Sequence, residues 1–190
     1  MSIILFLGRN IKDYIKISDT IIDELLCRNA ILCGLCLKPM KRHSCYTRGI
    51  KETGEEIEII MVWCRACKKW HALLPDFILQ RKHYSGNEIE SVIIDSGSVP
   101  VSRIETEASE STVRRWIQQI GGRINRAVGI LKYQFGRAGK AISETAIIPG
   151  QAYSELEQIL EMAPKVIKYS GNKLGLANLW LRTGDVKAYI

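Results

Sequence analysis

The sequence predicts an α+β fold: a small β-hairpin module set by cysteines, followed by a helix-turn-helix and C-terminal helices. Three observations carry that prediction. Two cysteine pairs, Cys33-Gly-Leu-Cys36 and Cys64-Arg-Ala-Cys67, bracket a stretch with strand-like alternation. From Ser85 onward the apolar period changes from 2 to 3.6 residues, and helix-start signals recur. Behind them runs a basic stretch, Ser111 to Lys140, that contains no acid.

The cysteine pairs are the most specific feature. A two-residue gap lets both sulfurs of one tight turn face the same ion, and strands between the pairs bring the two turns together. C-x2-C, a linker and C-x2-C is thus the pattern of four thiolates around one structural Zn²⁺, a zinc ribbon with Cys33, Cys36, Cys64 and Cys67 as ligands. A redox pair of the thioredoxin kind needs a βαβ setting that neither pair has. Disulfides need an oxidising compartment, and no export signal is visible. His43, Cys45 and His71 are alternative ligands by type, but they read better as strand positions, and Cys27 and Cys45 as unligated thiols. Leu37 and Lys68 occupy the position after each second cysteine where glycine is usual.

In chain order, Ile3–Leu7 reads as a buried strand. Two helical patches follow, Ile11–Ile15 and Ser18–Leu26, the second started by Ser18 and Asp19. This segment, 1–32, is expected to pack on the ribbon, 33–84. Residues 44–50 and 56–63 read as paired strands joined by the turn Glu52-Thr-Gly-Glu55. Trp70–Pro75 reads as a third strand stopped by its proline. Trp63 and Trp70 flank the second cysteine pair and are expected to cover the metal site.

The next segment, 85–140, opens with Ser85-x-x-Glu88 and continues with Ser102-x-x-Glu105; both fit a capping box. They predict one helix ending near Gly97 and Pro100 and a short second helix at Arg103–Glu107. A third is predicted from Glu110 to Ile120, with Val113, Trp116, Ile117 and Ile120 as one apolar stripe and Gly121-Gly122 as its end or break. A basic amphipathic helix follows, with Ile124, Val128, Leu131 and Phe135 inward. After the break at Pro149-Gly150, a helix capped by Ser154 and Glu157 and a last one through Leu174–Leu181 complete a C-terminal helical segment, 141–190.

Charge placement bears on function more than the net +7 does. Ser111 to Lys140 holds seven Lys/Arg and no acid, Cys33 to His83 holds ten against five acids, and Tyr84 to Glu110 holds one against six. Two basic segments of this kind suit a polyanion. The outer face of the third helix would present Ser111, Thr112, Arg114, Arg115, Gln118 and Gln119, with Arg123 and Arg126 behind, as the nucleic-acid-binding residues. No carboxylate triad with a sheet domain, phosphate loop or nucleophile-base pair is visible, so no catalysis is expected. No run is long and apolar enough for a membrane span.

The cysteine pairs, Trp70-His-Ala-Leu-Leu-Pro-Asp-Phe, Tyr84-Ser85 and Glu110-Ser-Thr-Val-Arg-Arg-Trp together resemble a transposase-like family of bacterial mobile elements, common in Firmicutes and formally of unknown function. The resemblance covers roughly residues 33–135, and His71–Pro75 is its most specific part. It implies a zinc ribbon plus a helix-turn-helix, zinc at the four cysteines, DNA reading by the helix at 110–120 and a bacterial cytoplasmic location. The segment from Pro100 to Ser109 departs from the pattern by leaving a short second helix. The expected function is sequence-specific binding of double-stranded DNA, as a regulator or a DNA-binding part of a mobile element. The C-terminal helices would contact a second copy or a transposase or regulatory partner. The rivals are a protein-interaction adaptor and an RNA-binding protein.

Overall fold

A computed structural model describes residues 2–137, 152–161 and 173–174. Lys140, the Pro149-Gly150 break and most of the last predicted helix lie outside them. The chain divides into two units, one running to Gly86 and the other starting at Asn87.

The first unit is a four-stranded sheet with one helix. Strands β1 (Ser2–Leu5), β2 (Lys41–Gly49), β3 (Glu56–Cys64) and β4 (Lys69–Pro75) lie in the order β1-β4-β3-β2. β2, β3 and β4 form an antiparallel meander, and β1 joins β4 in parallel, Ile3 beside Leu73. A parallel pair needs a long return connection, and helix α1 (Ile11–Cys27) supplies part of it. Leu7, Tyr14, Ile22, Ile31, Ile59, Ile60, Val62, Leu73 and Phe77 share one buried core with Cys33 and Cys64.

α1 is one helix rather than two patches. Asn10 caps it, with an extended backbone and a side chain that accepts from the Asp13 N–H at 2.9 Å. The cap frees Ser18 from the starting role assigned to it, and Ser18 sits mid-helix and buried. The helix closes on Asn29 at φ 54°, with the Asn29 N–H bonded to the Leu26 carbonyl and the Ala30 N–H to the Leu25 carbonyl. That is a left-handed cap with asparagine in glycine's usual place. Gly8, just before, sits at φ 111°, and a Cβ there would stand 3.0 Å from Asp13 Cβ and the Tyr14 backbone nitrogen. Only glycine makes that entry without strain.

The second unit holds α2 (Gly86–Asp95), a 3₁₀ turn at Val101–Arg103, α3 (Glu110–Arg137) and α4 (Ala152–Glu161). Two expectations fail here. The short second helix at Arg103–Glu107 does not form: Pro100 opens only a single 3₁₀ turn, and Ile104 is already extended at ψ 123°. Thr106 then donates to Glu88 on α2, and its oxygen accepts from the Ala108 N–H, so side-chain bonds shape the approach to α3. Nor does Gly121-Gly122 end the third helix, since α3 runs unbroken through both glycines. The physical reason is the buried stripe. Val113, Trp116, Ile120, Ile124, Ala127 and Val128 continue at three- and four-residue steps across the pair, and burial outweighs the roughly 1 kcal/mol that each interior glycine costs. α4 packs on α3 through buried Tyr153, Leu156 and Ile159, and it begins two residues before Ser154.

A Cβ at Gly122 would have nothing within 4 Å. Gly122→Ala is therefore expected to stabilise the second unit by about 0.5–1 kcal/mol, measured by urea denaturation. A loss of stability would mean that the helix does not continue through the glycines.

Candidate metal centre and basic helix

Two hairpin turns build the centre. The first is the loop between Ile31 and Met40, whose ends bridge at Leu32 and Pro39. Within it the Leu37 N–H bonds to the Cys33 carbonyl at 2.8 Å, and the Cys33 N–H to the Lys38 carbonyl at 2.9 Å. The second is the β3–β4 turn: Cys64 is the last residue of β3 and pairs with Lys69, the first of β4. The Cys67 N–H points at Cys64 Sγ, 3.5 Å away. Each turn thus curls its own C-x2-C around a common point.

Both turns require a left-handed residue directly after the second cysteine. Leu37 has φ 57° and Lys68 φ 53°. These are the two positions where glycine is usual, so each residue holds a backbone angle that an L side chain disfavours.

The four sulfurs lie within 4.8 Å of one another. Cys36 Sγ is 3.5 Å from Cys64 Sγ, and Cys33 Sγ is 3.8 Å from Cys67 Sγ, each contact joining one turn to the other. Thiolates about 2.3 Å from a central ion, the bond length they make to zinc, stand about 3.8 Å apart at the corners of a tetrahedron. The donor set therefore fits a tetrahedral ion, and these four cysteines could hold one. All six cysteines are free, so no disulfide competes. Without a cation the crowding is unfavourable to charge. Contact with Cys36, then burial, then Cys33 and Cys64, push the Cys67 thiol up to about 12.

The other ligand types sort cleanly. Cys27 is exposed and outside the cluster. Cys45 lies on β2 beside Glu58, whose carboxylate raises its pKa. His43 packs its ring on Trp70. His71 is fully buried, with Nε2 3.6 Å from Cys33 Sγ, and burial lowers its pKa, favouring the neutral ring. It is placed to support one thiolate by an N–H···S contact rather than to join the four. Period-2 alternation carries the signal for this role, because His71 pairs with Val62 and so shares the face of Cys64.

Trp63 and Trp70 do not cover the metal site, contrary to expectation. Successive strand residues point to opposite faces, so Trp63 turns away from Cys64. Its register partner Trp70 goes with it and is 42% exposed.

In the second unit, Ser111, Arg114, Arg115, Gln118, Gln119, Arg123 and Arg126 are exposed on α3, and Thr112 is half-buried. Ser109 precedes the helix; its carbonyl accepts from the Thr112 and Val113 N–H groups, and its hydroxyl lies 3.0 Å from that of Thr112. Arg115 reaches the Thr112 hydroxyl at 3.3 Å, and Arg114 stands 3.5 Å from Glu110. Because the helix is continuous, Arg126 is on the same outward line as Ser111, Arg115 and Gln118, and Arg123 flanks it. Lys132 is spent on an ion pair with Glu155 of α4 and adds little to the basic face. Among the described residues, no helix is long and apolar enough to cross a membrane.

Replacing Lys68 by glycine is expected to stabilise the metal-loaded protein by about 0.5–1 kcal/mol, and Lys68→Val to destabilise it, because a β-branched residue fits φ > 0 worst. Denaturation midpoints of the two variants test this; the opposite order would contradict the strained turn.

Residues 33–116 match a domain of unknown function, DUF6431, a span that opens at the first cysteine of the centre and closes at Trp116 in α3. No curated protein and no solved structure matches the chain.

Proposed function

We propose that the chain is a sequence-specific DNA-binding protein in which α3 reads the duplex and a structural zinc ion holds the cysteine turns. The observation that carries this reading is the outward face of α3. From Ser111 to Arg126 it carries Arg114, Arg115, Arg123 and Arg126, all exposed, and no acid, while its opposite stripe is buried. A helix with one face locked in a core and the other bearing arginine and glutamine has the shape and the donors for a major groove. Arg115 and Gln118 point straight outward, where side chains reach base edges; Arg114 and Arg123 flank them, where phosphates run.

Zinc is proposed because four thiolates with tetrahedral spacing favour it among common divalent ions. A closed four-sulfur site contributes folding free energy rather than chemistry, so the protein is read as a binder and not an enzyme. The sequence resemblance points the same way, towards a bacterial regulator or a DNA-binding piece of a mobile element. With only a 3₁₀ turn ahead of α3, the proposed reader is a supported single helix rather than a regular helix-turn-helix. A homodimer or a transposase partner at the C-terminal helices remains part of the proposal.

Arg115→Ala is expected to cost about 1–3 kcal/mol on a duplex selected from a random pool and to relax preference at one base pair. Arg123→Ala should weaken selected and scrambled duplexes alike. Fluorescence anisotropy on both duplexes decides it: equal losses for Arg115→Ala would show that α3 does not read sequence.

A further inference from the structure

The sheet of the first unit carries an aromatic cluster that neither the metal centre nor α3 uses. Trp63 and Trp70 are register partners with ring centroids 4.3 Å apart, and His43 meets Trp70 edge-on at 3.9 Å. The rings come from three neighbouring strands. His43 is delivered by an irregularity in β2, where the register shifts between Arg42 and Ser44; a bulge of this kind re-aims a side chain at a sheet edge. Tyr46, two residues beyond Ser44 on the same face, is 42% exposed, and Met61 between the tyrosine and tryptophan rows is half-buried.

The strand segments that carry the rings are basic, and the exposed Glu58 between them lies with Cys45 on the opposite face. Residues 38–49 and 59–75 contain seven Lys/Arg and no acid. Two of the seven are engaged elsewhere, Arg42 with Asp19 and Asp23 of α1, and Arg48 buried against the Leu79 carbonyl. Lys38, Lys41, Arg65, Lys68 and Lys69 remain exposed. Lys41 pairs with Trp63 and so shares its face, and Arg65 and Lys68 belong to the cysteine turn beside it.

We propose that this face is a stacking platform for unpaired nucleobases, which takes a single-stranded nucleic-acid segment with Trp70 as its main stacking ring. The exposed indole of Trp70, beside the half-buried Trp63 and five exposed cations, suits the flat base and its phosphate together. Positive charge alone would also suit an acidic protein surface, but the exposed indole favours a flat base. The platform does not rest on the duplex-reading role of α3, because its residues belong to a different unit.

The test uses the full-length, metal-loaded protein with two kinds of labelled single strand, oligodeoxythymidine and oligouridine of about ten nucleotides, beside the selected duplex. The wild type should bind at least one single strand with quenching of tryptophan emission. Trp70→Ala should weaken that binding roughly 5- to 150-fold and leave duplex binding and metal content unchanged. Trp70→Tyr should restore most of the affinity, and Arg115→Ala should spare it. Preference for one sugar over the other identifies the strand as DNA or RNA. If Trp70→Ala loses metal, Tyr46→Ala and Lys41→Glu replace it, each expected to weaken single-strand binding. Unchanged single-strand affinity in the metal-retaining variants, or no binding of either strand by the wild type, overturns the platform. A wild type that binds a single strand but not the selected duplex would overturn the reading of α3 and leave the platform standing.

Discussion

The sheet unit depends on four sulfurs being held within 4.8 Å of one another. Four sulfurs that close favour the neutral thiol over the thiolate, the direction in which contact with Cys36 moves the Cys67 pKa. A divalent ion converts the same crowding into bonding by replacing protons with a shared positive charge. Two of the sulfurs, on Cys33 and Cys64, belong to the apolar core, so the centre and the core are one construction. The turns accept strained residues at Leu37 and Lys68 for the same reason: sulfur geometry is the stronger constraint.

From that constraint the rest of the first unit follows. The β3–β4 turn carries Cys64 and Cys67, and the register it sets pairs Trp63 with Trp70 and Val62 with His71. Strand alternation then sends the tryptophans to the outer face and the histidine inward. The four-cysteine cluster thus organises both its own support, His71 behind Cys33, and the aromatic face on the other side of the same strands. The second unit obeys a different rule. There one apolar stripe on α3 buries against α4, and that burial leaves the basic face outward.

Much of this was legible in the residues. The spacing of the cysteines is a covalent fact with a geometric consequence, so the four that cluster could be picked without coordinates. Strands β2, β3 and β4 were readable because alternation and Pro75 bound them, and the start of α3 after Ser109 was readable from its hydroxyl-rich entry. What escaped depended on competition between local and tertiary effects. Ser18 looks like a cap until Asn10 takes that place. Gly121-Gly122 looks like a stop, but the buried stripe on both sides carries the helix through. Ser102-x-x-Glu105 has the pattern of a capping box, yet the extended backbone at Ile104 ends the turn. The outer position of Trp63 and Trp70 was implicit in alternation, and it was missed because tryptophan beside cysteine suggests cover.

The central claim is that four cysteines alone hold the metal, with His71 outside the bonding shell. X-ray absorption at the zinc edge of the purified protein measures this most directly. Four sulfur scatterers at about 2.3 Å and no nitrogen in the first shell is the predicted result. A shell of three sulfurs and one imidazole nitrogen, or an oxygen-rich shell, would contradict it.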